Sequence, residues 1–134
     1  MLKKLFTTFI QLFTQHPSVW CIENKRQEME SINILIKSIG STVSSLSDSV
    51  FQHEHTKESI DLCEKIYVEA VNSIGGCLKM IELSNTELKV KFDHNDPFVK
   101  EYADFHKASV DYLNERYVIL YQILRRLRSY EVVM

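Results

Sequence analysis

Turn-forming residues are scarce in this chain: its 134 residues include three glycines and two prolines. Sandwiches and barrels need turn residues about every 8–12 positions, so the shortage argues against an all-β fold and for a few long helices. An excess of one charge is missing as well. The net charge is −2, which offers bulk attraction neither to nucleic acid nor to an acidic membrane. No run of about 18 apolar residues exists, so no transmembrane helix is expected. The opening Met1-Leu2-Lys3-Lys4-Leu5-Phe6 has the charge of a signal peptide, but Thr7, Thr8, Gln11 and Thr14 interrupt the apolar core that should follow.

The cysteines, Cys21, Cys63 and Cys77, are odd in number and form no C-x-x-C pair. On one continuous helix Cys63 and Cys77 would lie about 21 Å apart, far beyond the reach of a disulfide. Buried thiols of a reducing compartment are the simpler expectation, and the expected location is cytoplasmic.

Catalytic and metal-binding patterns are lacking too. A carboxylate-bridged di-metal bundle needs Glu-x-x-His on two helices, and this sequence has none. His106 and Asp111 match one piece of a haemerythrin-type set without the histidines that should accompany it. His53, His55 and Glu58 gather at a turn, where solvation is the simpler reading. No metal or other cofactor is expected. Each cysteine falls at or beside an apolar seam, where thiols are inert, and no histidine is placed to activate one. Gly75-Gly76 lies inside a helical pattern, not between a strand and a helix, so it makes no phosphate loop. Arg116 has no downstream histidine of the kind helical ribonucleases pair with arginine, because none follows His106. A non-enzymatic role is therefore expected.

What is present is an ordinary globular composition, 45% hydrophobic and 25% charged, in a length that suits one domain over residues 1–134. The longest pattern is a heptad repeat of the coiled-coil kind. One row holds Ile22, Met29, Ile36, Val43 and Val50; the other holds Lys25, Ile32, Ile39, Leu46 and His53. Such rows keep one seam of a helix turned toward other helices. They predict a long helix over 18–52, with Ser18 as N-cap and surface charge pairs Lys25–Glu28 and Arg26–Glu30 near its start. Seven of the ten residues from Gly40 to Ser49 are Gly, Ser or Thr, all poor helix formers. Because Ile39, Val43, Leu46 and Val50 hold the spacing through them, a continuous helix that lets a neighbour approach closely is expected.

Before that helix, Leu2, Leu5, Phe6, Phe9, Ile10 and Phe13 share one face of a short amphipathic helix over 2–14, which His16-Pro17 ends. After it, Thr56 starts a helix over 57–83 with the seam Ile60, Cys63, Tyr67, Ala70, Ile74, Cys77 and Ile81. Gly75-Gly76 costs this helix about 2 kcal/mol of propensity and predicts a kink or a point of close approach. Residues 84–96 read as a loop, since Leu88, Val90 and Phe92 alternate with lysines, with a fraying end of the helix as the alternative. Asp96-Pro97 then caps the last helix, over 97–129. That helix is apolar nearly all round from 117 to 124 and closes with Arg125, Arg126 and Arg128. The tail Val132-Val133-Met134 is apolar and has no evident place in a monomer.

The sequence thus predicts an all-α, up-and-down helical bundle: one short amphipathic N-terminal helix plus three long helices. Its surplus of apolar surface points to a protein–protein interaction or oligomerisation module, a small subunit or adaptor of a larger complex. The expected partner is a protein, in a homo-oligomer or hetero-complex. The candidate interface residues are Phe6, Phe9 and Phe13 on the first helix, with Tyr112, Arg116, Tyr117, Tyr121, Arg125, Arg126 and Arg128 on the last. Two other readings compete: attachment to a membrane surface through residues 2–14, and accessory nucleic-acid binding through Arg125, Arg126 and Arg128.

Overall fold

A computed structural model describes residues 22–52 and 54–133, so the helix expected over 2–14 lies outside the described residues. The described residues form three helices and no strand: α1 (Ile22–Val50), α2 (Lys57–Lys91) and α3 (Pro97–Val133). At 1.5 Å per residue each is about 45–55 Å long. The fold is all-α.

Interhelix contacts fix the directions. The start of α1 meets the end of α2 and the start of α3: Lys25 Nζ lies 3.2 Å from Glu87 Oε2, and Arg26 lies 3.4 Å from Glu101. The end of α1 meets the end of α3, where the Tyr130 hydroxyl donates to the Val50 carbonyl at 2.8 Å. The three helices therefore run up, down and up, with α1 and α3 parallel.

The helix boundaries follow from local chemistry. At the head of α2 the Thr56 side chain accepts from the Ser59 N–H at 3.1 Å, while Ser59 Oγ accepts from the Thr56 N–H at 3.0 Å. This reciprocal box satisfies two otherwise orphaned donors. At the head of α3 the Asp96 carboxylate accepts from the Phe98 N–H at 2.9 Å, and Pro97 occupies the first turn, where a missing N–H costs nothing.

The core is built on the seams. Ile32, Leu35, Ile36, Ile39, Val43, Leu46 and Val50 of α1 are buried against Ile60, Cys63, Ala70, Ile74, Cys77 and Ile81 of α2. Leu113, Leu120, Ile123 and Leu127 of α3 close the cluster. A second cluster at one end joins Leu88, Phe98 and Tyr102, with Met29, Phe92 and Phe105 packed against it.

Three expectations are corrected. Residues 84–91 are helix, not loop, and the connection shrinks to Phe92–Asp96. The seam continues through Cys77, Ile81, Ser84 and Leu88, all under 9% exposed; a serine in an apolar position hid the pattern. Val90, which looked like one step of a strand, is 74% exposed on the helix. Lys25–Glu28 is not a surface pair, since the two side chains are 3% and 8% exposed at 3.0 Å. Arg26 pairs with Glu101 of α3, its guanidinium 4.8 Å from the Phe98 ring centre, and no pair with Glu30 forms among the described residues.

The small residues of Gly40–Ser49 do not break α1. Gly40 faces the hydroxyl of Tyr112, leaving no room for a side chain, and a Cβ on Gly75 would lie 3.3 Å from the hydroxyl of Tyr117. Both glycines are landing places for tyrosines of α3. The helical run of α2 passes through Gly75-Gly76 without interruption.

Candidate interaction surface

The candidate residues separate into those consumed by the bundle and those left outside it. Phe6, Phe9 and Phe13 lie outside the described residues. Tyr112 is half-buried between α3 and α1, and the Arg116 guanidinium lies 4.6 Å from its ring centre. Arg116 also reaches Glu115 at 3.6 Å, while its Nε is buried without a hydrogen-bond partner. Tyr117 turns inward on α2, its hydroxyl donating to the Val71 carbonyl at 3.5 Å. Burial, helped by Tyr67, pushes the Tyr117 phenol above its ordinary range. These three half-buried residues make packing contacts within the bundle.

Tyr121, Arg125 and Arg128 stay on the outside. With Val118 they form one stripe at i, i+3, i+7 and i+10, the spacing of a single helix face. Val118 is 59% and Tyr121 60% exposed. Among the described residues no carboxylate pairs with Arg125 or Arg128. Arg126 belongs to a different environment: its Nε donates to the Tyr130 hydroxyl at 3.0 Å, and its guanidinium lies 5.6 Å from the Phe51 ring centre. Phe51, 47% exposed, joins Gln122, Arg125, Arg126 and Ser129 around a shallow depression beside the stripe. The sequence reading missed both Phe51 and Val118. Phe51 stood off the seam at the end of the helix expected over 18–52, and Val118 was one apolar residue in a run that gave no sign of which side faces out.

A groove of about 450 Å³ runs between α1 and α2, with no residue of α3 in its walls. Its α1 wall is Ser38, Ser41, Thr42, Ser45, Leu46 and Ser49; its α2 wall is Ser59, Leu62, Cys63 and Ile66. At the mouth His55 Nδ1 lies 3.4 Å from Ser59 Oγ. This is not a nucleophile and its base. Ser59 Oγ donates to the Thr56 carbonyl at 2.9 Å, and the His55 Nε2–H faces the Val50 carbonyl at 2.9 Å. Both groups cap helix ends. Burial raises the Cys63 thiol above its ordinary value, which disfavours the reactive thiolate.

The buried polar network at the opposite end was also missed. Glu28 accepts from Lys25 at 3.0 Å and from the Ser84 hydroxyl at 3.3 Å, and Lys25 reaches Glu87 as well. The Tyr102 hydroxyl sits at this cluster fully buried, without a hydrogen bond of good geometry. Loss of water raises its phenol strongly, and the nearby Glu28 and Glu87 carboxylates add to the rise. Lys25 thus joins two carboxylates, one from α1 and one from α2, and a slip of these helices by one turn would leave a charge in the core without its partner.

His106 pairs with Glu82 of α2 at 2.7 Å. Among the described residues no three His, Cys, Asp or Glu side chains are grouped to hold a metal ion, and no helix is long and apolar enough to cross a membrane. Comparison with protein-family models, with curated proteins and with solved structures finds no match for this chain.

Proposed function

We propose that this protein is a non-enzymatic interaction subunit that assembles with other protein chains through the outer face of α3. The observation that supports it is the Val118–Tyr121–Arg125–Arg128 stripe, where two large apolar side chains about 60% exposed stand beside two arginines lacking carboxylate partners among the described residues. Tyr and Arg together are the residues that most often anchor protein interfaces. The stripe is continuous with the Phe51 depression, so the face extends across the ends of α1 and α3.

A nucleic-acid role for the arginines is the second reading, and the geometry weakens it. Arg126 is engaged by Tyr130 and Phe51, which leaves Arg125 and Arg128 as a footprint of two on a chain of net charge −2. Counterion release by two cations supports little affinity. The reading as a protein of a reducing compartment rests on the two buried free thiols, Cys63 and Cys77.

Light scattering on the full chain at micromolar concentration, alone and with any co-purifying partner, tests the proposal. The expected result is an assembly larger than the 15.7 kDa monomer that Val118→Asp and Tyr121→Asp dissociate without altering the helical circular dichroism. A monomer with no stoichiometric partner, or an assembly indifferent to both substitutions, would count against it.

A further inference from the structure

Resting on the reading of the outer face of α3 as an interface, we infer that its partner is a second copy of this chain, with the two α3 helices antiparallel. The exposed stripe does not begin at Val118. Asn114 and Asp111 continue it towards the start of the helix, so that Asp111, Asn114, Val118, Tyr121, Arg125 and Arg128 recur at alternating spacings of three and four. All six are exposed. They stand on the side of α3 opposite Leu113, Leu120, Ile123 and Leu127, which are buried in the core. A three-four row on a helix face is the seam of a two-helix pairing, and the bundle leaves this one unused.

The row is self-complementary in one direction only. Its arginines lie at one end, its aspartate at the other and its two apolar residues at the centre. Turned antiparallel about a twofold axis beside the Ile119–Leu120 peptide, two such rows bring Val118 opposite Tyr121, Asn114 opposite Arg125 and Asp111 opposite Arg128. Symmetry makes each pair occur twice. The tyrosine ring covers the valine, the Asn114 side-chain oxygen accepts from Arg125, and the Arg128 guanidinium meets the Asp111 carboxylate. In the parallel direction arginine faces arginine and aspartate faces aspartate, which repels. Within the chain no ion pair occupies Asp111, Arg125 or Arg128 among the described residues. The Glu115 carboxylate, 68% exposed on the flank next to Asn114, adds to the attraction at Arg125 of the second copy. The paired length, from Asp111 to Arg128, is about 26 Å. Closing the pair removes from water the apolar surface of Val118 and Tyr121 that the monomer leaves uncovered.

Sedimentation equilibrium of the full chain across micromolar concentrations, with two charge reversals, tests this. The natural chain is expected at twice its 15.7 kDa mass. Arg128→Asp sets two carboxylates against each other in both outer layers, and Asp111→Arg sets two guanidinium groups there. Each should weaken the dimer about tenfold to a hundredfold, since both layers change from attraction to repulsion. An equal mixture of the two single variants should recover dimers at close to the natural affinity, because opposite charges again meet in every outer layer. The chain carrying both substitutions should do the same. Circular dichroism of all variants should match, as both positions are exposed. Single variants that stay fully dimeric, or a mixture and a doubly substituted chain that stay monomeric, would overturn the inference. A monomeric natural chain that holds a different protein at fixed stoichiometry, and loses it with Tyr121→Asp, would overturn the second copy alone and leave the interface standing. A natural chain that is monomeric without such a partner, or a dimer that also survives Tyr121→Asp, would overturn both.

Discussion

Gly40 lies directly beneath the hydroxyl of Tyr112, so that a methyl group at position 40 would overlap the hydroxyl and stand 3.1 Å from the ring carbon Cζ. Alanine there gains about 1 kcal/mol of helix propensity. Against that, the ring it must displace also packs under the Arg116 guanidinium. Gly40→Ala is expected to cost about 1–2 kcal/mol net in urea unfolding, with part of the loss recovered by Tyr112→Phe in a double-mutant cycle. At Gly75 the Tyr117 hydroxyl would be 3.3 Å from the new methyl, and its bond to Val71 is long enough at 3.5 Å to yield. Gly75→Ala should therefore stabilise by about 0.5–1 kcal/mol. Equal effects at the two sites would refute this account of the glycines.

Removing Lys25 alone leaves Glu28 buried at 6% exposure with only a serine hydroxyl as partner. Lys25→Met is expected to cost about 3 kcal/mol, while Lys25→Met with Glu28→Leu restores most of it, because an apolar pair needs no charge desolvated. Chemical denaturation of the three proteins checks this, and a single-mutant cost below about 1 kcal/mol would show that water already serves the site.

Burial raises Cys77 from its ordinary 9.0 to about 12 and pushes Tyr102 up from its ordinary 10.0. Both are acids whose neutral form the fold prefers, so the folded state keeps protons that the unfolded chain releases. Stability is then unaffected by these groups below pH 9 and falls as pH climbs from 9 towards 12. Unfolding midpoints across that window should drop less steeply in Cys77→Ala with Tyr102→Phe than in the natural chain. At pH near 8, Cys77 should resist thiol reagents until the protein unfolds.

Tyr130 closes the end of α1, donating to the Val50 carbonyl while stacking 4.6 Å from the His55 ring centre. Tyr130→Phe keeps the ring contact and loses two hydrogen bonds, the one donated to Val50 and the exposed one accepted from Arg126. The expected cost is about 1 kcal/mol, concentrated in faster amide exchange over the last turn of α1. Uniformly faster exchange throughout the bundle would place the role of Tyr130 elsewhere.

Much of the architecture is legible in the chain. Ile32, Ile39, Val43 and Leu46 recur at helical spacing and are all buried, because period alone decides which side of a helix can be dry. Thr56 and Asp96-Pro97 announce their helix starts because capping is local chemistry. Ser84 shows where such reading stops: a serine on a seam looks like the end of a helix until the Glu28 carboxylate from another helix accepts its hydrogen bond. Lys25 misled in the same way, since its partner Glu87 lies 62 residues away.

The interface candidates divided along that line. Tyr112, Arg116, Tyr117 and Tyr121 look alike as members of one aromatic, basic stretch, and no local rule ranks them. The parallel course of α3 beside α1, and its crossing of α2, turned Tyr112 towards Gly40 and Tyr117 towards Gly75, leaving Tyr121 outside. By itself the sequence determined the all-α class, the seams and the capped helix starts, because these depend on residues within a turn or two of each other. Tertiary structure alone decided which tyrosines are core, where the buried charge cluster closes and which helix face stays open. Those depend on what a second and third helix bring within about 4 Å, the range over which packing and hydrogen bonding act.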